Sequence, residues 1–197
     1  AKSLGNKCKI IHLGSSSEYG RKLHPTREYD ELEPVTFYEV TKACGTMLCQ
    51  AYVRKYGMDI CIIRPYSVYG KLEPAHRLIP TVISNIKSGR LVKVSPGKHD
   101  FIHIDDFIKG VVTIAEKGKA GSIYNCGGGK QYSNREVVDL IGKIIGKEYN
   151  VEEVEKLREF DSDYWVSDSR KLQNLGWTPY HTLETGLAEV INGHPLP

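Results

Sequence analysis

The sequence predicts an α/β fold built on a parallel sheet, and three observations carry that prediction. Short apolar runs stop at glycine or proline in the manner of buried strands: Lys9-Ile10-Ile11-His12-Leu13 before Gly14, and Asp59-Ile60-Cys61-Ile62-Ile63-Arg64 before Pro65. Residues 36–56 between them have helical spacing, with Val40, Cys44, Met47, Leu48, Ala51 and Tyr52 on the pattern and Gly57 closing it. A strand, a helix of about 20 residues and a second strand make one crossover unit of a parallel sheet.

The remaining elements follow in order. A polar loop with Pro25 and Pro34 separates the first strand from the helix. After Gly70, residues 76–87 predict a helix and Leu91-Val92-Lys93-Val94 a short strand. Phe101-Ile102-His103-Ile104 leads into an acidic helix start at Asp105-Asp106, with Phe107, Val111, Val112 and Ile114 on one stripe. Ser122-Ile123-Tyr124-Asn125-Cys126 is a further strand, stopped by Gly127-Gly128-Gly129, which reads as a turn. Ser133-Asn134-Arg135-Glu136 is a capping box opening a helix to about Ile145. Asp168 starts a short helix that ends at Gly176, and residues 182–191 form the last one. No repeat or low-complexity linker interrupts this order, so a body with two lobes is expected.

The chain has 197 residues, enough for one well-buried core with a second lobe, and its net charge of +3 is slight. No basic run points to nucleic acid, and no stretch approaches the ~20 apolar residues of a membrane span. The five cysteines (Cys8, Cys44, Cys49, Cys61, Cys126) are odd in number and contain no Cys-x-x-Cys pair. Buried free thiols in a reducing cytoplasm are the expectation, with no metal bound by them, because no histidine falls at ligand spacing.

The residues with the most chemistry are Tyr38 and Lys42. Four residues apart on a helix, they share one face. An ammonium beside a phenol favours the phenolate, which can take a proton from a sugar hydroxyl. Ser15, after the first strand, supplies a hydroxyl to hold that sugar oxygen if the strand ends beside the helix.

Gly14-Ser15-Ser16-Ser17-Glu18-Tyr19-Gly20, then Phe37-Tyr38-Glu39-Val40-Thr41-Lys42, then Arg64-Pro65-Tyr66-Ser67-Val68-Tyr69-Gly70 resemble the extended short-chain dehydrogenase/reductases, and more narrowly the nucleotide-sugar epimerase/dehydratase family. His99-Asp100-Phe101 resembles that family's Arg-Asp-Phe segment, Tyr124-Asn125-Cys126-Gly127 its Tyr-Asn-x-Gly turn, and Leu175-Gly176-Trp177-Thr178-Pro179 its Leu-Gly-Trp-x-Pro. The resemblance runs from about residue 8 to residue 190. It implies the second half of a doubly wound, Rossmann-like parallel sheet plus a smaller α/β substrate-binding lobe. Residues 1–70 and 99–120 would fall in the dinucleotide-binding body, and 71–98 and 121–197 in the lobe.

Carried over by position, Tyr38 is the acid/base, Lys42 binds the nicotinamide ribose and steadies the phenolate, and Ser15 is the third catalytic residue. Pro65, Tyr66, Ser67 and Val68 would line the nicotinamide of bound NAD, with NADP left open. Ser16, Ser17, Ser67, His99 and Arg158 would meet the nucleotide sugar. Independently of the resemblance, Tyr19 and Tyr69 read as structural, and His12, His103 and His181 as packed or solvated histidines rather than catalysts. The Tyr38–Lys42 helix would pair with its counterpart in a homodimer.

Two departures from the family pattern bear on the reaction. Ser17 stands where 4,6-dehydratases of this family have the glutamate that deprotonates C5 of the 4-keto sugar. Glu18 is one residue away, and in an extended segment it faces the opposite side. This favours an epimerase, with a dehydratase or 4-keto reductase as alternatives. His99 replaces an arginine that meets the diphosphate, and histidine is charged only part of the time near neutral pH. The family's strand-Gly-x-x-Gly-x-x-Gly-helix is not in the chain, so the expectation is the C-terminal part of a longer enzyme lacking on the order of 100 residues of the doubly wound fold. A regulatory module without catalysis and a reductase of a non-nucleotide substrate are the rival expectations.

Overall fold

β1 (Ile10–Leu13) and β2 (Ile60–Pro65) lie side by side and parallel, joined by the crossover helix α1 (Phe37–Tyr56), in the computed structural model, which describes residues 8–155 and 164–193. Local chemistry fixes both ends of α1. Thr36 accepts the N–H of Glu39 while the Glu39 carboxylate accepts that of Thr36, and Gly57 turns the chain away with φ 63°, a conformation without side-chain cost only in glycine. β6 (Ile123–Cys126) adds to the other side of β2, giving the parallel order β1-β2-β6. All three carboxyl ends therefore reach the same edge of the sheet, where open α/β sheets hold their ligands.

The second lobe is assembled from short pieces. β3 (Ser67–Tyr69) pairs in parallel with β5 (Lys98–His103), which pairs antiparallel with β7 (Gln131–Ser133). β4 (Val92–Val94) and β8 (Val151–Glu153) form a separate parallel pair. The helices are α2 (Leu78–Lys87), α3 (Ile104–Lys117), α4 (Asn134–Ile145), α5 (Arg170–Gln173) and α6 (Leu183–Asn192). None of the described helices is long and apolar enough to cross a membrane.

Two apolar cores result. Under the parallel sheet, Cys61, Ile63, Tyr124, Cys126, Ile114, Leu172 and Trp177 pack together. In the lobe, α2, α4 and α6 bury Ile83, Ile86, Val137, Val138, Ile141, Leu187 and Val190 against β4. Each such aliphatic side chain contributes about 1.5–3 kcal/mol by leaving water.

Several expectations are corrected. β6 belongs to the parallel sheet through its ladder with β2, and Leu172 and Trp177 pack beneath it, so the 121–197 segment is divided between body and lobe. Tyr69, placed at the end of the body, is buried in the lobe's core. Residues 16–19 form a 3-10 turn rather than an extended segment, because Ser15 and Glu18 cap it reciprocally. Only Cys61 and Cys126 are buried; Cys8 and Cys44 are exposed and Cys49 is half-buried. The helix expected from residue 76 starts at Leu78.

Candidate active site

Lys42 anchors the site to the end of β1. Its Nζ donates to the carbonyl oxygen of Leu13 at 3.0 Å and lies 5.8 Å from the centre of the Tyr38 ring. Gly45, one residue from the next turn of α1, permits this approach: a Cβ there would stand 2.8 Å from His12 Nε2. His12 is thus a packed histidine of β1, its pKa held below the ordinary value by burial and by Lys42 against the opposing pull of Glu18. Tyr38 is 58 % exposed, so its hydroxyl meets solvent and any ligand at the sheet edge.

Ser15 follows Gly14 at the same strand end. Its Oγ accepts the Ser17 N–H at 3.2 Å and shares a 2.7 Å hydrogen bond with Ser17 Oγ. Ser15 and Ser16 are buried and Ser17 is half-buried, so Ser17 is the more open hydroxyl of this linked pair. The turn itself is built around Glu18. That carboxylate is fully buried, accepts the Ser15 N–H at 2.8 Å, and pairs with Arg64 Nη2 at 2.8 Å. Gly14 leaves the room it needs, since a Cβ there would collide with Glu18 Oε1. Arg64 also lies over the Tyr19 ring at 4.4 Å, and the Tyr19 hydroxyl donates to Asn125 Oδ1 at 2.7 Å. Burial pushes the Tyr19 pKa up to about 12 despite Arg64, so Tyr19 stays a neutral structural phenol.

Pro65, Tyr66, Ser67 and Val68 leave the carboxyl end of β2 beside this group. Tyr66 is buried, its ring edge-on to Trp165, and burial drives its pKa far upward. Among the described residues its hydroxyl has no hydrogen-bond partner; Thr26 stands near without the geometry of one. Ser67 is half-buried in β3, and Val68 packs against the core under the parallel sheet. His99 is half-buried in β5, its ring edge-on to Phe101 at 5.8 Å, in the β3-β5-β7 sheet rather than the parallel sheet that carries β1. Arg158 lies outside the described residues.

The other matched motifs hold the frame. Asp100 is fully buried and accepts N–H groups from Gly128, Gly129 and Ser167, and the Ser167 hydroxyl, at 2.6–3.0 Å. The three glycines are the turn that reaches this carboxylate: a Cβ at Gly128 would stand 2.8 Å from the Phe101 carbonyl oxygen, and Gly129 has φ 75°. Burial raises Asp100 to about 6, with the Ser167 hydroxyl and the N–H groups pulling the other way. Asp106 accepts the N–H groups of Tyr180 and His181 and faces His181 Nδ1, each at 2.9 Å, while Trp177 Nε1 donates to its carbonyl oxygen. Burial opposes ionisation there, but these donors hold Asp106 below the usual carboxylate range. The charge cost of both buried groups is met by directed N–H bonds. The sequence marks Asp106 only as part of an acidic helix start and Asp100 only within a motif, because their partners lie 28–67 residues from Asp100 and 71–75 from Asp106.

A cleft of about 510 Å³ opens between residues 24–27 and 166–173, away from Ser15, Tyr38 and Lys42. Its arginines, Arg27 and Arg170, both pair with the single carboxylate of Asp168.

The sequence model of the NAD dependent epimerase/dehydratase family matches residues 1–127. The chain is 31% identical over 187 residues to a dTDP-glucose 4,6-dehydratase of Streptomyces griseus, covering 92% of this chain and 57% of that protein. It is likewise 31% identical over 189 residues to an uncharacterized UDP-glucose epimerase of Bacillus subtilis, covering 92% and 59%. Among solved structures, the dTDP-glucose 4,6-dehydratase of Bacillus anthracis in complex with NAD superposes with a TM-score of 0.87 at 26% identity, over 93% of this chain and 60% of that one. The UDP-glucuronic acid 4-epimerase of Bacillus cereus, in complex with UDP-glucuronic acid and NAD, gives 0.87 at 27% identity with the same coverage. This chain belongs to the NAD-dependent epimerase/dehydratase family. It spans under two thirds of the length of these relatives.

Proposed function

We propose that the chain carries the catalytic half of a nucleotide-sugar 4-epimerase. The single observation behind epimerase rather than dehydratase is the burial of Glu18. Elimination of water across C5 and C6 needs a base at C5, and the carboxylate nearest Ser17 is fully buried and bound to Arg64 and the Ser15 N–H. The exposed acid/base at this edge is Tyr38.

The donor set fits a nicotinamide dinucleotide. Lys42 and Tyr38 present an ammonium and a phenol outside the carboxyl end of β1, and Pro65 and Ser67, at the end of β2 and the start of β3, would line the nicotinamide, with Val68 packed into the core behind them. NAD, when bound, supplies the acceptor and then the donor of the hydride at sugar C4. Tyr38 takes the proton of the sugar 4-hydroxyl as that carbon is oxidised and returns it as the carbonyl is reduced. Lys42, fixed by the Leu13 carbonyl, holds its charge beside the phenol and offers its remaining hydrogens to ribose hydroxyls. The linked Ser15 and Ser17 hydroxyls orient the sugar oxygen. Turning the 4-keto sugar over before reduction inverts C4.

The names of several relatives favour a second reading, dehydration. Incubating the NAD-competent protein with UDP-glucose, UDP-glucuronic acid and dTDP-glucose in deuterium oxide, and reading the products by NMR, separates the two. The expected product is the C4 epimer without deuterium at C5. A 4-keto-6-deoxy sugar would overturn the epimerase reading and return Glu18 or another base to the site.

A homodimer through α1 is part of the same reading. Phe37, Val40, Met47 and Leu48 are exposed on this helix at 94, 42, 52 and 59 %, an apolar surface suited to a second copy.

A further inference from the structure

Four metal-ligating side chains meet between the start of α3 and α6. His103, Asp105, His181 and Glu189 each present one ligand atom within 4.8 Å of the others. His103 is 3 % exposed and caps α3, Asp105 lies in its first turn, His181 precedes α6, and Glu189 lies within it. The two imidazoles lie together with ring centres 4.1 Å apart.

The hydrogen bonds fix which atoms face inward. His181 Nδ1 is 2.9 Å from the buried Asp106 carboxylate, which can only accept, so Nδ1 carries the hydrogen. In the neutral ring Nε2 is then a lone pair, and it faces Glu189 Oε2, a second acceptor, at 3.2 Å. His103 Nδ1 also accepts, from the Asp105 N–H at 3.4 Å, and stands 3.8 Å from the Asp105 carboxylate. Between two carboxylates, His181 Nε2 is compensated either by a second proton or by a metal ion shared with Glu189, and the long 3.4 Å contact leaves the His103 Nδ1 lone pair only weakly engaged.

We propose that His103, Asp105, His181 and Glu189 form a binding site for a divalent first-row transition metal, with zinc as the best fit. Two imidazoles and two carboxylates are a zinc-type set, whereas magnesium and calcium favour oxygen alone. Bonds of about 2.0–2.1 Å to a tetrahedral ion place ligand atoms about 3.3 Å apart. The His181–Glu189 separation of 3.2 Å already meets this, and the exposed Asp105 and Glu189 carboxylates can rotate to close the wider gaps. Asp106 behind His181 completes a carboxylate–histidine–metal arrangement. Because none of these residues belongs to the Ser15–Tyr38–Lys42 group, the ion is structural: it ties the head of α3 to α6.

Titration of chelator-treated protein with zinc chloride and cobalt chloride tests this. The expected result is one equivalent bound, a raised thermal midpoint, and a cobalt spectrum with ligand-field bands but no thiolate charge transfer. Asp105→Asn and Glu189→Gln, both at exposed side chains, should each weaken binding at least tenfold and leave the metal-free midpoint unchanged. Folded protein that binds no stoichiometric metal, undiminished binding in both variants, or a thiolate band from the exposed cysteines would each overturn the proposal.

Discussion

The polar groups at the end of β1 and those at the two ends of β5 and α3 both come from family motifs, yet they are held in opposite ways. Tyr38 and Lys42 stand at the surface, with Lys42 tied by one bond to a carbonyl and the Tyr38 ring in solvent. Asp100 and Asp106 have no exposure, and their carboxylate oxygens are spent on N–H groups that fix turns far away in the chain. A side chain that must gain and lose a proton in each turnover needs solvent and substrate within reach. A side chain that locks backbone needs neither. Glu18 shows the distinction within five residues: next to the serines proposed to hold the sugar oxygen, it is nonetheless part of the frame.

The largest effect that can break this comparison lies at Tyr38. Tyr38→Phe should lower turnover by about 10²–10⁴-fold, the range of a general acid/base, with stability unchanged. Glu18→Gln should do the reverse in kind. Removing one partner of a buried ion pair costs about 3–5 kcal/mol, so its urea unfolding midpoint should fall sharply, and Arg64→Met should fall with it. Asp106→Asn should cost about 1–3 kcal/mol for an N–H left unsatisfied, again read by urea unfolding.

Asp100 sharpens the comparison through pH. Its folded pKa of about 6 lies above the ordinary 3.8, so the folded state binds the proton more tightly. The stability linked to this group is fully present below the ordinary value and is lost as pH rises through about 6. Asp100→Asn cannot titrate and misplaces an amide against N–H donors. The stability gap between wild type and variant should therefore be wider at pH 4 than at pH 7; a gap that widens with pH would show that the hydrogen bonds, not burial, set this carboxyl.

The sequence made the long elements legible because their signals are local. Thr36 and Gly57 bracket α1, Ser133 and Glu136 open α4, and the apolar run at Ile60–Ile63 is a strand buried on both faces. β3, β7 and β8 have three residues each and lack the Leu-Val-Lys-Val alternation that marked the equally short β4, and their pairing is set by the lobe around them. The Ser15–Glu18 turn was hidden for another reason. Its capping box has the spacing of a helix start, but the decisive partner, Arg64, is 46 residues away. The Tyr38–Lys42 pair was legible as a pair because both members sit on one helical turn, whereas the roles of Asp100 and Asp106 depend on residues 28–75 positions distant.

The division between reactive surface and locked interior is tested most directly by measuring turnover and thermal midpoint together for Tyr38→Phe and Asp106→Asn in the NAD-competent protein. Tyr38→Phe should abolish most turnover at an unchanged midpoint, and Asp106→Asn should lower the midpoint while the protein that remains folded turns over at close to the wild-type rate. Turnover that survives in Tyr38→Phe, or a folded Asp106→Asn protein as inactive as it, would contradict the account.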